Sequence, residues 1–153
     1  MFRVSIQNLE GVQDQLADLI AASPKAVSET ANFVAQSIAQ RAKHKISTGP
    51  RTGRVWKDGH QSSAPGEPPA SDTGELVSRI TFTKMTVREG SRATAGTTDP
   101  KGHTLEFGGH TRSSPEFGSR LVYIEPRPWL LPSFLEAINA ARGKLKLNLE
   151  KRI

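Results

Sequence analysis

His103, Glu106 and His110 are the residues whose types and spacing could do chemistry in this sequence. Two imidazoles and a carboxylate this close could share a divalent ion or act as acid and base. The spacing is His-x-x-Glu-x-x-x-His, not the His-Glu-x-x-His that sets two imidazoles on one helical face. Gly108 and Gly109 fall between Glu106 and His110, so helical geometry does not carry through. The plainer reading is a set of polar residues flanking a Leu105–Phe107 anchor. The chain has no Cys, and therefore no thiol nucleophile, disulfide or Cys-based metal site. Gly49-Pro50-Arg51-Thr52-Gly53-Arg54 is basic and Gly-containing, but Pro50 removes an amide donor that a phosphate cradle uses. There is no Gly-x-Ser-x-Gly elbow and no carboxylate pair that stands out as general acid and base. No catalytic residue, metal or cofactor is assigned, and no enzymatic activity is expected.

Positive charge is the next signal. The net charge is +6, which favours polyanionic partners. Arg41, Lys43, Lys45, Arg51, Arg54 and Lys57 crowd one tract, with His44 and His60 at its flanks. The tract is either a solvated helix end and loop or a surface facing DNA phosphates or an acidic partner. In the second reading Lys43, Lys45, Arg51, Arg54 and Lys57 make sequence-independent contacts, which suits a DNA conduit better than a regulator. No helix-turn-helix, zinc finger or aromatic stacking platform accompanies them. Trp56 sits in the same polar stretch. It either tucks into the chain's own core or anchors a neighbour, and Trp56, Pro65, Pro68 and Pro69 form the candidate subunit or partner interface.

The elements that must position these residues follow from periodicity. Leu9, Val12, Leu16 and Leu19 make one apolar stripe, and Ser23-Pro24 allows a helix to restart. Val27, Ala31, Val34 and Ile38 continue the spacing, so residues 7–46 are expected to be one kinked helix or two helices. Residues 47–73 are a long polar loop, with Val55 and Trp56 its only large apolar residues. Ser71 to Glu75 supply cap-type residues for a helical turn. Ile80–Val87 and Arg92–Thr98 read as a hairpin, and Leu121–Ile124 as a third strand. Residues 111–119 read as a polar loop. Pro132 opens a last helix over 129–150, whose apolar face is Leu131, Phe134, Leu135, Ile138, Leu145 and Leu149.

The expected architecture is a single α+β domain over 1–153: a small antiparallel sheet region (74–125) packed with a long N-terminal helix and a C-terminal helix, with a long central loop. No apolar run approaches the roughly 20 residues that cross a bilayer, so no membrane partner is expected. The first residues lack the apolar stretch of a signal peptide.

Three pieces then line up in order. Ala64-Pro65-Gly66-Glu67-Pro68-Pro69-Ala70-Ser71-Asp72-Thr73-Gly74-Glu75-Leu76 is the first, Leu105-Glu106-Phe107-Gly108 the second, and Arg127-Pro128-Trp129-Leu130-Leu131-Pro132 the third. Together they resemble the tail-completion, neck or head–tail joining proteins of long-tailed phages and prophages. The resemblance spans nearly the whole chain, apart from a wide insertion around Gly109–Ser119. It implies a non-enzymatic virion component assembled in the host cytoplasm: a homo-oligomeric ring, six-fold favoured, at the head–tail junction or tail end. Its neighbours would be head-closure, tail-terminator or tail-tube proteins, with non-specific contact to packaged DNA. Asp72, Thr73, Gly74, Glu106, Phe107, Gly108, Arg127 and Pro128 are then fold determinants, not active-site residues. The alternative is a nucleic-acid-binding accessory protein. A third reading, a small hydrolase, would rest on His103, Glu106 and His110.

Overall fold

The computed structural model of the chain describes residues 24–87, 90–113 and 118–150. The expected helical stripe from Leu9 to Leu19 lies outside them. Helix α1 (Pro24–Thr48) begins on the proline that marks the expected restart. It is followed by the loop over 49–74 and a single helical turn, α2 (Glu75–Ser78). Strands β1 (Ile80–Val87) and β2 (Gly90–Thr97) form the expected antiparallel hairpin, with Ile80 opposite Thr97 and Val87 opposite Gly90. Helix α3 (Lys101–Phe107) leads into β3 (Gly109–Arg112), which pairs antiparallel with β4 (Leu121–Ile124). Helix α4 (Leu130–Glu150) closes the chain.

The fold is α+β as expected, with the antiparallel structure split into two separate two-stranded sheets. Leu121–Ile124 does not join the first hairpin as its third strand. It pairs with Gly109–Arg112, part of which was expected to be loop. The physical reason lies at Gly108 and Gly109, whose φ of 74° and 151° are open to glycine alone. They turn the chain out of α3 straight into β3. A Cβ at Gly108 would also stand 2.9 Å from Pro126 Cδ, so the turn is packed against the lead-in to α4.

The core lies where α1 and α4 cross the first hairpin. Ile38, Ala39, Ala42 and Ile46 on α1 meet Ile80, Trp129, Leu130 and Ala137, with Val34, Leu76, Ala95 and Phe134 packed around them. The seam between the two helices is alanine-rich: Ala35, Ala39 and Ala42 on one side, Ala137 and Ala141 on the other. Small side chains let the backbones approach closely. On α1 the expected stripe lies in the core at Ile38 and Ile46, with Val34 packed against it, while Val27 and Ala31 are half-buried. The inward face of α4 departs further from the expected one. On α4, Leu131 and Leu135 point outward, and Leu130, Ser133, Ala137 and Ala141 point in.

One ion-pair cluster ties the helices together on the surface. Glu136 accepts from Lys45 Nζ at 2.6 Å and from Arg41 Nη1 at 3.1 Å. The Lys45 hydrogen bond, helped by the charges of Lys45 and Arg41, holds the Glu136 carboxyl below the usual carboxylate value. A depressed carboxyl adds stability above its unfolded value, about 4.3, and that stability is lost as pH falls through the folded value. Glu136→Gln is therefore expected to cost about 0.5 kcal/mol at neutral pH, the modest worth of an exposed pair. In urea titrations the gap between the two proteins should close as pH drops below about 4.

Candidate functional site

The central feature is a junction built from the three ordered pieces of sequence. Glu106 is buried on α3, and its carboxylate faces the start of α4. Oε2 accepts the amides of Trp129 and Leu130, and Oε1 accepts that of Leu131, each at 2.8 Å. The first four N–H groups of a helix have no intrahelical partner. The next position is Pro132, which has no N–H, so one carboxylate accounts for every unpaired donor at this helix start. The negative charge also opposes the positive end of the helix dipole. Ser133 Oγ donates to the Trp129 carbonyl at 2.6 Å and tightens the first turn.

The other pieces lock onto this cap. Arg127 N donates to the Leu105 carbonyl at 2.6 Å, and Arg127 Nε donates to the Ser63 carbonyl at 3.3 Å. Gly66 N donates to the Pro126 carbonyl at 2.8 Å. Gly102 lies so close to Thr97 that a Cβ would collide with its Cγ2, and the Trp129 ring packs just beyond. Of the cap-type residues over 71–75, Gly74, with φ of 76°, is the N-cap of α2, and the Asp72 side chain meets His60 Nδ1 at 3.3 Å.

The loop over 49–74 is folded upon itself. Gly53 N bonds Ser62 O, Ser62 N bonds Arg54 O, and Trp56 N bonds His60 O, making a hairpin-like excursion over 53–62. Val55 and Gln61 form a β-bridge within it. Glu67 braces its base, accepting the Thr52 hydroxyl and the Ala64 amide, and these bonds hold its carboxyl below the usual value. Trp56 does not enter the core. It is 48% exposed, with the Arg54 guanidinium 4.6 Å over its ring. Of the other candidate interface residues, Pro65 is exposed, Pro68 half-buried and Pro69 buried.

Between this excursion, the second sheet and residues 69–76 runs an open groove of about 1140 Å³. Trp56, Leu105, Val122 and Tyr123 give it an apolar wall. Arg54, Lys101, Arg120 and Arg127 line it, but so do Asp72, Glu75, Asp99 and Glu125. Four cations against four anions leave no excess to attract a phosphate.

The structure divides the basic tract. Lys45 and Arg41 are held by Glu136, and Arg51 Nη2 donates to the Ser71 carbonyl at 2.6 Å. Lys43 and Lys57 have no carboxylate partner among the described residues. The tract is thus partly internal bracing, a role that charge counting could not separate from solvation. His103, Glu106 and His110 are also divided. Glu106 is spent on the cap, the His103 ring lies 5.3 Å from Phe107, and the His110 ring lies 5.2 Å from Tyr123. Among the described residues no three His, Asp or Glu side chains stand where they could share an ion. The Glu106 cap was missed in the sequence because its partners begin 23 residues away. Comparison of the chain with protein-family models, with curated proteins and with solved structures finds no match.

Proposed function

We propose that this chain is a structural virion component of a tailed phage, one subunit of a homo-oligomeric ring at the head–tail junction or tail end. The reading rests on the resemblance of the three ordered pieces to tail-completion and neck proteins. One structural observation supports it: the second and third pieces, far apart in sequence, meet at the Glu106 cap, and the first is tied to the residue before the third by the Gly66 amide and the Pro126 carbonyl. Residues that define a family through its fold, rather than through a reaction, are expected to converge in this way. Among the described residues no helix is long and apolar enough to cross a membrane. The ring would join head-closure to tail-terminator or tail-tube proteins. Lys43, Arg51, Arg54 and Lys57 are the cations of the basic tract not held by an acidic side chain among the described residues, and they are the candidates to face packaged DNA.

The test is a phage carrying a deletion of this gene. Free full heads and free tails should accumulate, and purified protein added to the lysate should restore infectious particles. Joined, infectious particles without the protein would overturn the reading. Tight, salt-dependent DNA binding by the isolated chain, with normal particles in the deletion, would instead favour an accessory nucleic-acid-binding role.

A further inference from the structure

Helix α4 carries a second apolar stripe that the core does not use. Leu131 and Leu135 are exposed and Ile138 is half-buried, about 110° round the helix from the Ala137–Ala141 seam. Leu145 and Leu149 continue the same spacing in the sequence. The helix is basic along this stretch: Arg142, Lys144 and Lys146 stand against no acidic residue from 137 to 149. A second copy of α4 laid on the stripe would therefore bring like charges together.

The sequence before α1 supplies a matching stripe of opposite charge. Residues 1–23 precede the helix and lie outside the described residues. Ile6, Leu9, Leu16 and Leu19 are spaced 3, 7 and 3 residues apart, and Leu135, Ile138, Leu145 and Leu149 are spaced 3, 7 and 4. Glu10, Asp14 and Asp18 are the only charged residues between Arg3 and Lys25. An acidic amphipathic segment thus stands next in sequence to α1, and a basic helix with an uncovered apolar stripe packs beside α1.

The segment also ends in the right place. A Cβ at Gly49 would stand 3.7 Å from Pro68 Cβ, and Gly66 donates to the Pro126 carbonyl, so the end of α1 lies beside the start of α4. The two helices therefore run antiparallel along their alanine seam. Pro24 lies 17 residues before Arg41, and Glu150 lies 14 residues after Glu136, the partner of Arg41. Helix α1 thus begins beside the far end of α4. Residues 20–23 can span about 14 Å, more than the roughly 8–10 Å between packed helix axes. A segment doubling back from Pro24 would run parallel to α4. With Leu19 level with Leu149, the shared spacing brings Leu16 to Leu145, Leu9 to Ile138 and Ile6 to Leu135, and Asp14 to the level of Lys144. We infer that residues 6–19 form a helix that covers the outer stripe of α4 in the same chain, its carboxylates beside Arg142, Lys144 and Lys146.

This contact does not depend on the ring reading and is tested without any particle. The chain has no native Cys, so introduced pairs report proximity cleanly. Ile6→Cys with Leu135→Cys joins two positions at one level. Leu19→Cys with Leu135→Cys sets them between three and four turns apart, about 20 Å, beyond the reach of a disulfide. In dilute protein under mild oxidation, the first pair should give several-fold more intramolecular disulfide than the second, read by non-reducing electrophoresis and peptide mass. Thermal melts check that each variant is folded. Equal yields from the two pairs would overturn the inference. So would links from position 6 to position 135 between chains, which put a neighbour's segment on the stripe. Links between two copies of Leu135→Cys alone would overturn it in favour of a second α4. Amide hydrogen exchange on the unaltered chain needs no substitution. Residues 9–19 should exchange several-fold more slowly than an unstructured peptide of that sequence, and exchange at the unstructured rate would overturn the inference by itself.

Discussion

Glu106→Ala is expected to lower the unfolding free energy by about 4 kcal/mol, a large share of what holds a domain of this size together. Three buried amides lose a charged acceptor at once, and a buried donor left unmade costs more than its bond was worth. The three losses share one carboxylate and do not simply add. Glu106→Gln separates the mechanism from mere loss of bulk. Its carbonyl oxygen can still accept two amides, while its NH₂ faces the third, donor against donor. A loss of about 2 kcal/mol is expected for it. Urea titration followed by far-ultraviolet circular dichroism gives both values. A loss under about 1 kcal/mol for alanine would mean that water substitutes for the carboxylate and the cap is dispensable.

The second large effect is at Trp129, which is fully buried between α1, Gly102 and the first hairpin. Trp129→Ala is expected to cost about 4 kcal/mol through lost burial and the cavity left behind. Trp129→Phe should cost less than half as much. It keeps an aromatic ring and also removes the indole N–H, for which the described residues offer no acceptor. The chain has two tryptophans, and Trp56 is the exposed one. In a Trp56→Phe background, Trp129 fluorescence alone then reports unfolding, and it should redden in one step with loss of helix. Equal costs for Ala and Phe would show that the indole N–H is satisfied and matters more than ring volume.

Both effects act on one junction, and the junction links fold to proposed function. Glu106, Gly108 and Trp129 hold the second sheet and the start of α4 in place, so loss of any of them disturbs both elements together.

The local elements were legible from residue types and spacing alone. Pro24 and Pro132 marked the first turns of two helices, because a proline there forfeits no hydrogen bond. The alternation from Ile80 fixed the first hairpin, and the glycine pair after Phe107 fixed the end of α3. The order of the three pieces also lay in the sequence, and it alone suggested a family. Tertiary structure decided the rest. Helical periodicity could not choose between the leucine and alanine faces of α4, because close approach to α1 rewards small side chains over large ones. Charge counting could not tell Lys45, spent on Glu136, from Lys57. His103, Glu106 and His110 looked like chemistry because they are close in sequence. In the fold the carboxylate turns away to cap a helix that starts 24 residues later, at the positive end of its dipole, and each imidazole packs on a separate aromatic ring.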